Sequence, residues 1–235
     1  MRAEFRPVRV GVVDSGINPG IDRAAPALLP TVLAARAFVR SPEGQVQRVA
    51  PCDDGLGHGS AVAALIADGA GQCVEFVDAQ VFPAAQAIDA GLLADAIDWC
   101  VGHSVRVLNL SLGLHADRTL LRDACARASA AGVTLVAACP ARGGSTFPAA
   151  YPQVIAVSGD ARCLAGGWSV LSDRPHFGAS PCALPPAAGG GASYAAARVS
   201  GFAAAFFAAQ PTAGYADLLA HLRAGAGFVG RECRS

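Results

Sequence analysis

Lysine is absent from all 235 residues, so the eighteen basic side chains are all arginine. That excludes Schiff-base catalysis, a pyridoxal-phosphate lysine and the phosphate-cradling lysine of a P-loop. Charge is sparse as well, at 15% of residues, where an average globular chain carries about 25%. Eighteen arginines balance eighteen acids, which leaves no basic surplus to hold nucleic acid and no acidic tail. The longest apolar run near the C-terminus, residues 199–209, is interrupted by Ser200 and Gly201 and is too short to span a bilayer. Neither a nucleic-acid nor a membrane partner is therefore expected. The opening Met1-Arg2-Ala3-Glu4-Phe5-Arg6 has no apolar signal segment. Cys-x-x-Cys pairs are missing among the cysteines at 52, 73, 100, 125, 139, 163, 182 and 233. Their scatter argues against a zinc site, and several lie in apolar stretches, as thiols do in a reducing cytoplasm.

What the chain has in quantity is apolar residues, 53% of the total, too many for disorder and enough for a substantial core. Short β-rich runs at 8–13, 74–81, 105–109, 133–138 and 154–158 are almost continuously apolar, as strands buried on both faces are. Helical stretches separate or follow them at 58–67, 87–101, 120–131, 193–209 and 215–224. The alternation predicts an α/β fold, a mostly parallel sheet with helices on both faces. Residues 162–191, rich in Gly, Pro and Ser, read as irregular surface loops. With no repeat and no long linker, residues 1–235 are expected to form a single domain.

Functional groups of an open parallel sheet gather at the C-terminal ends of its strands. Val10-Gly11-Val12-Val13-Asp14-Ser15-Gly16 ends the first strand in an acid, and the segment Ile17-Asn18-Pro19-Gly20 turns away from it. Asp53-Asp54-Gly55-Leu56-Gly57-His58-Gly59-Ser60 sets a histidine at a helix start. Gly189-Gly190-Gly191-Ala192-Ser193-Tyr194-Ala195 places a serine at another. Taken singly, these are a turn aspartate, a polar histidine and an N-cap serine. Together they run Asp…His…Ser, the set in which a histidine takes the serine proton while an aspartate fixes its tautomer.

The three blocks resemble those of the subtilisin-like serine proteases, the subtilases, over roughly residues 8–209. Two further blocks fall in order. Val107-Leu108-Asn109-Leu110-Ser111-Leu112-Gly113 is similar to the family's substrate-edge strand, and Tyr151-Pro152-Gln153-Val154-Ile155-Ala156-Val157 to the strand after its oxyanion loop. The resemblance implies a three-layer subtilisin-like fold needing no cofactor. In it Asp14 orients, His58 acts as base and then acid, and Ser193 attacks a peptide carbonyl. It further implies that Ser111, Leu112 and Gly113 pair with a polypeptide substrate as an added strand, and that Ala137 and Ala138 wall the pocket for the residue before the scissile bond.

Departures from the family pattern carry information too. The oxyanion asparagine falls on Ala141, which has no donor, and the glycine before it on Pro140. The Ser193 N–H supplies one hydrogen bond to an oxyanion, and Arg142, Ser145 or Thr146 are the candidates for a second. The usual Met-Ala-x-Pro-His after the serine becomes Tyr194-Ala195-Ala196-Ala197-Arg198. The family's calcium loop is reduced to about residues 68–72, so no metal is expected, and Asp53 and Asp54 read as loop carboxylates near His58. With the Asp block so close to Met1, no pro-domain is expected. The chain is similar in this to compact cytoplasmic subtilases that act as leader peptidases of modified-peptide pathways, where a modifying enzyme would present the substrate. A pseudoprotease that binds a peptide strand without cutting it is the other reading. Arg142 either favours an acidic substrate residue or points to solvent. Cys139 reads as an inert pocket thiol, and His103, His115, His176 and His221 as surface or core histidines.

Overall fold

A computed structural model describes residues 7–18, 31–71, 73–82, 88–142, 144–183 and 190–232. Pro19, Gly20, Gln72, Ala87, Gly143, Gly189 and Cys233, which entered the expectations above, lie outside the described residues. Strands β1 (Val8–Asp14), β2 (Thr31–Arg40) and β3 (Val46–Val49) precede helix α1 (His58–Ala70). There follow β4 (Val74–Gln80), α2 (Ala90–Gly102), β5 (Val107–Leu110), α3 (Thr119–Ala130), β6 (Thr134–Ala138) and β7 (Val154–Gly159). The last elements are β8 (Trp168–Ser172), β9 (His176–Ala179), α4 (Ala192–Ala209), α5 (Tyr215–Ala224) and β10 (Phe228–Val229).

The strands form one ten-stranded sheet in the order β10-β8-β9-β7-β6-β5-β1-β4-β2-β3. All neighbouring pairs are parallel except β2–β3 and β8–β9, near the two edges. Period-two alternation divides the side chains between two cores. Val10 and Val12 of β1 pack with α1, α4 and α5, whereas Val13 packs with α2 and α3 on the opposite face. Helices thus cover both faces, as the apolar strands predict. A parallel register aligns the strand ends: Val10 lies opposite Val107 and Phe76, and Asp14 opposite Gln80. β1 therefore delivers Asp14 to the edge where α1 and α4 begin.

Close approach of α1 to α4 brings their N-termini together. A Cβ on Gly201 would lie 2.7 Å from the Ile66 carbonyl oxygen and 3.1 Å from the Gly69 Cα. Only glycine on both helices permits that separation.

Two expectations about the sheet need correction. Residues 162–191, read as loops, contain the β8–β9 hairpin, and β10 adds to it through parallel pairing of Phe228 with Ser169. β2 and β3 were also missed. β2 is half exposed along most of its length and rich in alanine, so neither strict alternation nor a continuous apolar run marks it.

Candidate active site

Asp14 is the last residue of β1 and is 2% exposed. Its Oδ1 accepts from the Ser15 N–H and lies 2.7 Å from His58 Nδ1, and each contact is part of how the carboxylate is held. The second oxygen, Oδ2, is buried with no partner among the described residues. With Nδ1–H donated to Asp14, Nε2 of His58 is the nitrogen left to accept a proton. The Asp14 hydrogen bond raises the His58 pKa above its ordinary value. Partial burial opposes the rise, and the charges of Asp14 and Asp54 add to it.

His58 is the first residue of α1, and its placement depends on Asp54. This 5%-exposed carboxylate accepts from the Gly57 N–H at 2.8 Å, the Ser60 N–H at 2.9 Å and the Ser60 hydroxyl at 2.7 Å. It thereby serves helix N–H groups that have no partner within the helix. Burial alone would raise its pKa, but the hydrogen bonds from Ser60, Ser15 and Gly57 outweigh that and lower it. Asn18 ties the Asp14 loop to the same segment, donating to the Asp54 carbonyl and accepting from the Asp54 N–H. Gly59 lies against the other side of that loop. A Cβ there would sit 2.2 Å from the Gly16 carbonyl oxygen, so any side chain would push α1 away from β1. Asp53 and Asp54 were both read as loop carboxylates. Asp54 proves to hold the start of α1 from three residues before its N-cap Gly57, a role legible only as the spacing from Asp54 to Ser60.

Ser193 is the second residue of α4, half-buried, and the helix N-terminus favours negative charge beside it. Its hydroxyl donates to the Ser111 carbonyl at 3.2 Å, and among the described residues it makes no hydrogen bond to His58. Ser111 is in turn held by Asn109, which donates from Nδ2 to the Ser111 hydroxyl and accepts at Oδ1 from Ser200. Leu112 and Gly113 continue from Ser111 as irregular chain. Gly113 abuts Thr146, and Leu114 bridges to Phe147. The Tyr194 ring packs on the His58 imidazole, 5.5 Å between centroids and tilted by 31°. Buried Arg198 donates to the carbonyls of Ala165 and Cys182, pinning two loops beneath α4.

The oxyanion side is built differently from the reading above. Ala141 and Arg142 are both exposed and share a cavity of about 670 Å³ with Gly191 and Ala192, which precede Ser193. The Ala141 carbonyl accepts from Arg231 at 3.3 Å. Ser145 is exposed, while Thr146 is buried with its hydroxyl unpartnered among the described residues. Ala137, expected to wall the substrate pocket, is fully buried among α2 and α3 residues. β6 alternates, so Ala138 alone turns toward the α1–α4 side. The cavities are walled from Cys139 onward instead. His176, read as an ordinary histidine, lines a second cavity and shares a 2.9 Å hydrogen bond with Ser158.

A mostly parallel sheet between two helical layers, with an Asp–His pair and a helix-borne serine at one edge, defines a hydrolase-like site of the triad type. The chain belongs to the subtilase family, Peptidase S8, whose sequence profile matches residues 6–229. Subtilisin E of Bacillus subtilis is 28% identical over 247 aligned residues, covering 96% of this chain and 62% of its own length. The minor extracellular protease Epr of Bacillus subtilis is 29% identical over 185 residues, 73% of this chain and 26% of its own. The chain thus spans less than two thirds of these relatives. Among solved structures, Sphericase superposes with a TM-score of 0.69 at 20% identity, covering 94% of this chain and 83% of its own. The protease domain of PatA superposes at 0.59, with 20% identity and coverages of 89% and 83%. Prenylagaramide maturation protease PagA superposes at 0.57, with 19% identity and coverages of 87% and 76%.

Proposed function

We propose that the protein is a serine endopeptidase of narrow range that removes a leader segment from a modified peptide or small protein subunit. The observation that carries the catalytic part is the 2.7 Å Asp14–His58 contact at the edge where α4 presents Ser193. Rotation of the Ser193 hydroxyl away from the Ser111 carbonyl lets it give its proton to His58 Nε2 as Oγ attacks the substrate carbonyl. The oxyanion formed is held by the Ser193 N–H, without the side-chain donor that Ala141 lacks. His58 then passes the proton to the leaving amine, and water hydrolyses the acyl-enzyme by the same two transfers. Loss of one preorganised oxyanion donor costs on the order of 10²–10³ in turnover, which suits a slow, dedicated enzyme.

The maturation role is supported by the likeness to PagA, whose name describes a maturation protease, and to the PatA protease domain. It also agrees with the chain's resemblance to the protease that trims the cross-linked small subunit of quinohemoprotein amine dehydrogenase. The substrate is a polypeptide presented by its modifying enzyme, and the setting is the cytoplasm. Among the described residues no helix is long and apolar enough to cross a membrane. The thiols of Cys100 and Cys125, buried and raised in pKa chiefly by that burial, suit a reducing compartment.

A second reading, a peptide-binding module that does not hydrolyse, has in its favour the Ser193 hydroxyl resting on Ser111 and the missing asparagine. Fluorophosphonate labelling read by intact mass separates the two. A single adduct on Ser193, lost in Ser193→Ala, is the expected result. Absence of the adduct with full-length, folded protein would sink hydrolysis and leave the binder.

A further inference from the structure

A second cavity, of about 550 Å³, lies behind the chain from Cys139 to Thr146. Arg142, Arg174, Arg231 and His176 line it, and among the described residues no Asp or Glu does. In a chain with equal numbers of acids and arginines, that separation of sign is a local construction. Arg142 and Arg174 form no ion pair among the described residues, and Arg174 donates only to the Ala150 carbonyl, at 2.9 Å. This contrasts with the arginines at 40, 48, 122, 127 and 162, each of which is paired with an aspartate. The positive field is visible on His176. Burial and the charges of Arg231 and Arg174 all lower its pKa, so it stays neutral and donates or accepts hydrogen bonds at neutral pH.

An independent feature points the same way. Thr146, 6% exposed, is among the residues lining this cavity, and its hydroxyl, buried below the surface, has no hydrogen-bond partner among the described residues. Through Thr146, which touches Gly113, the cavity adjoins the Ser111–Gly113 segment. Through Pro140, Ala141 and Arg142, which line both cavities, it adjoins the first cavity, where Gly191 and Ala192 lead to Ser193.

We propose that this cavity is a carboxylate-binding subsite that takes an Asp or Glu side chain of the polypeptide on the acyl side of the scissile bond. The proposal rests on the proteolytic reading above and names its substrate class. Arginine suits the task because its planar fork meets a carboxylate with two parallel hydrogen bonds. Two such groups on facing walls exclude a lysine or arginine side chain by repulsion, and they leave a leucine beside desolvated charge.

The test uses the full-length Ser193→Ala protein and fluorescent hexapeptide mixtures with randomised flanks, identical except for Glu or Gln at one fixed position. Anisotropy at low salt is expected to show the Glu mixture bound about tenfold more tightly. That ratio should fall below about threefold in Arg142→Gln and in Arg231→Gln, both at exposed positions, and should fall again as salt is raised. Equal affinities, tighter binding of the Gln mixture, or no measurable binding of either overturns the subsite. In parallel, products released by the protein with Ser193 intact are mapped by mass spectrometry. Cuts following acidic residues support the proposal. Cuts following Leu or Arg without acid preference overturn it and leave the protease reading standing. No cuts and no Ser193 adduct sink the protease reading instead, while the Glu-to-Gln binding ratio still decides the subsite.

Discussion

Asp14 shares its buried strand end with a second carboxyl that the catalytic scheme does not use. Asp78 of β4, 1% exposed, sits opposite Val12 and accepts from the Ile17 N–H at 3.0 Å, fastening the loop that follows Asp14. Burial, with the nearby charges of Asp14 and Asp54, pushes its pKa up to about 7 against the pull of the Ile17 hydrogen bond. A carboxyl raised in this way binds more protons folded than unfolded between about pH 4 and 7. Its contribution to stability is whole below pH 4 and is lost as the pH rises through 7. Asp78→Asn keeps an acceptor for Ile17 and has no proton to lose. Its urea midpoint relative to the unsubstituted protein should therefore rise between pH 5 and pH 8, by more than about 1 kcal/mol in stability. A constant difference across that range would show that Asp78 does not titrate there. Within the triad, His58 must be neutral to accept the serine proton. kcat/KM should accordingly climb with pH through a midpoint above the ordinary histidine value and then level off. Asp14→Asn should lower kcat about 10⁴-fold by permitting the wrong tautomer, measurable on any substrate the labelling work identifies.

At the level of elements, the site is made by two helix starts and one strand end, and each rests on a local device. Asp54 holds the start of α1, and its replacement by Ala should cost about 0.5–2 kcal/mol and lower kcat through misplacement of His58. Asp54→Asn, which keeps one acceptor, should recover part of both. Thermal melts beside the rate of Ser193 phosphonylation by the fluorophosphonate would measure the two effects. Contact between α1 and α4 runs through Gly69 and Gly201. Gly201→Ala drives a methyl against the Ile66 carbonyl, so a loss of about 1–3 kcal/mol is expected, with slower labelling of Ser193 as α4 shifts from α1. If Gly201→Ala were as stable as the parent, the close helix contact would not exist in solution.

Across the molecule, stability is unevenly distributed. β1, β5 and β6 lie in the middle of the sheet with most of their side chains fully buried, while β3 and β10 are exposed edge strands. Amide hydrogen exchange should be slowest in the three central strands and in α4, and fastest in β3 and β10. The chemistry thus sits on the rigid part of the fold. The arginine-lined cavity lies toward the β8–β9–β10 side, where Arg174, His176 and Arg231 come from later, less buried chain. The proposed recognition would then sit on a softer margin beside the rigid strand ends that carry Asp14.

The layered α/β fold was legible in the amino-acid sequence, and so were Asp14, His58 and Ser193 as candidates, of which Asp14 and His58 are in hydrogen-bond contact. Buried parallel strands must be apolar, and catalytic groups at their ends are marked by glycines a few positions away, so the signal is local. The missing oxyanion asparagine was legible for the same reason. β2, β8 and β9 were not, because these partly exposed or short strands near the sheet margins escape both the continuous and the alternating apolar pattern. Sequence could not tell Ala137 from Ala138, since the face that an alanine occupies depends on sheet register. Nor could it reveal that Asp78 is buried behind Asp14, or that Arg142, Arg174 and Arg231 line one cavity. Those relations join positions 32 to 89 residues apart, and only the folded sheet brings them within reach of one another.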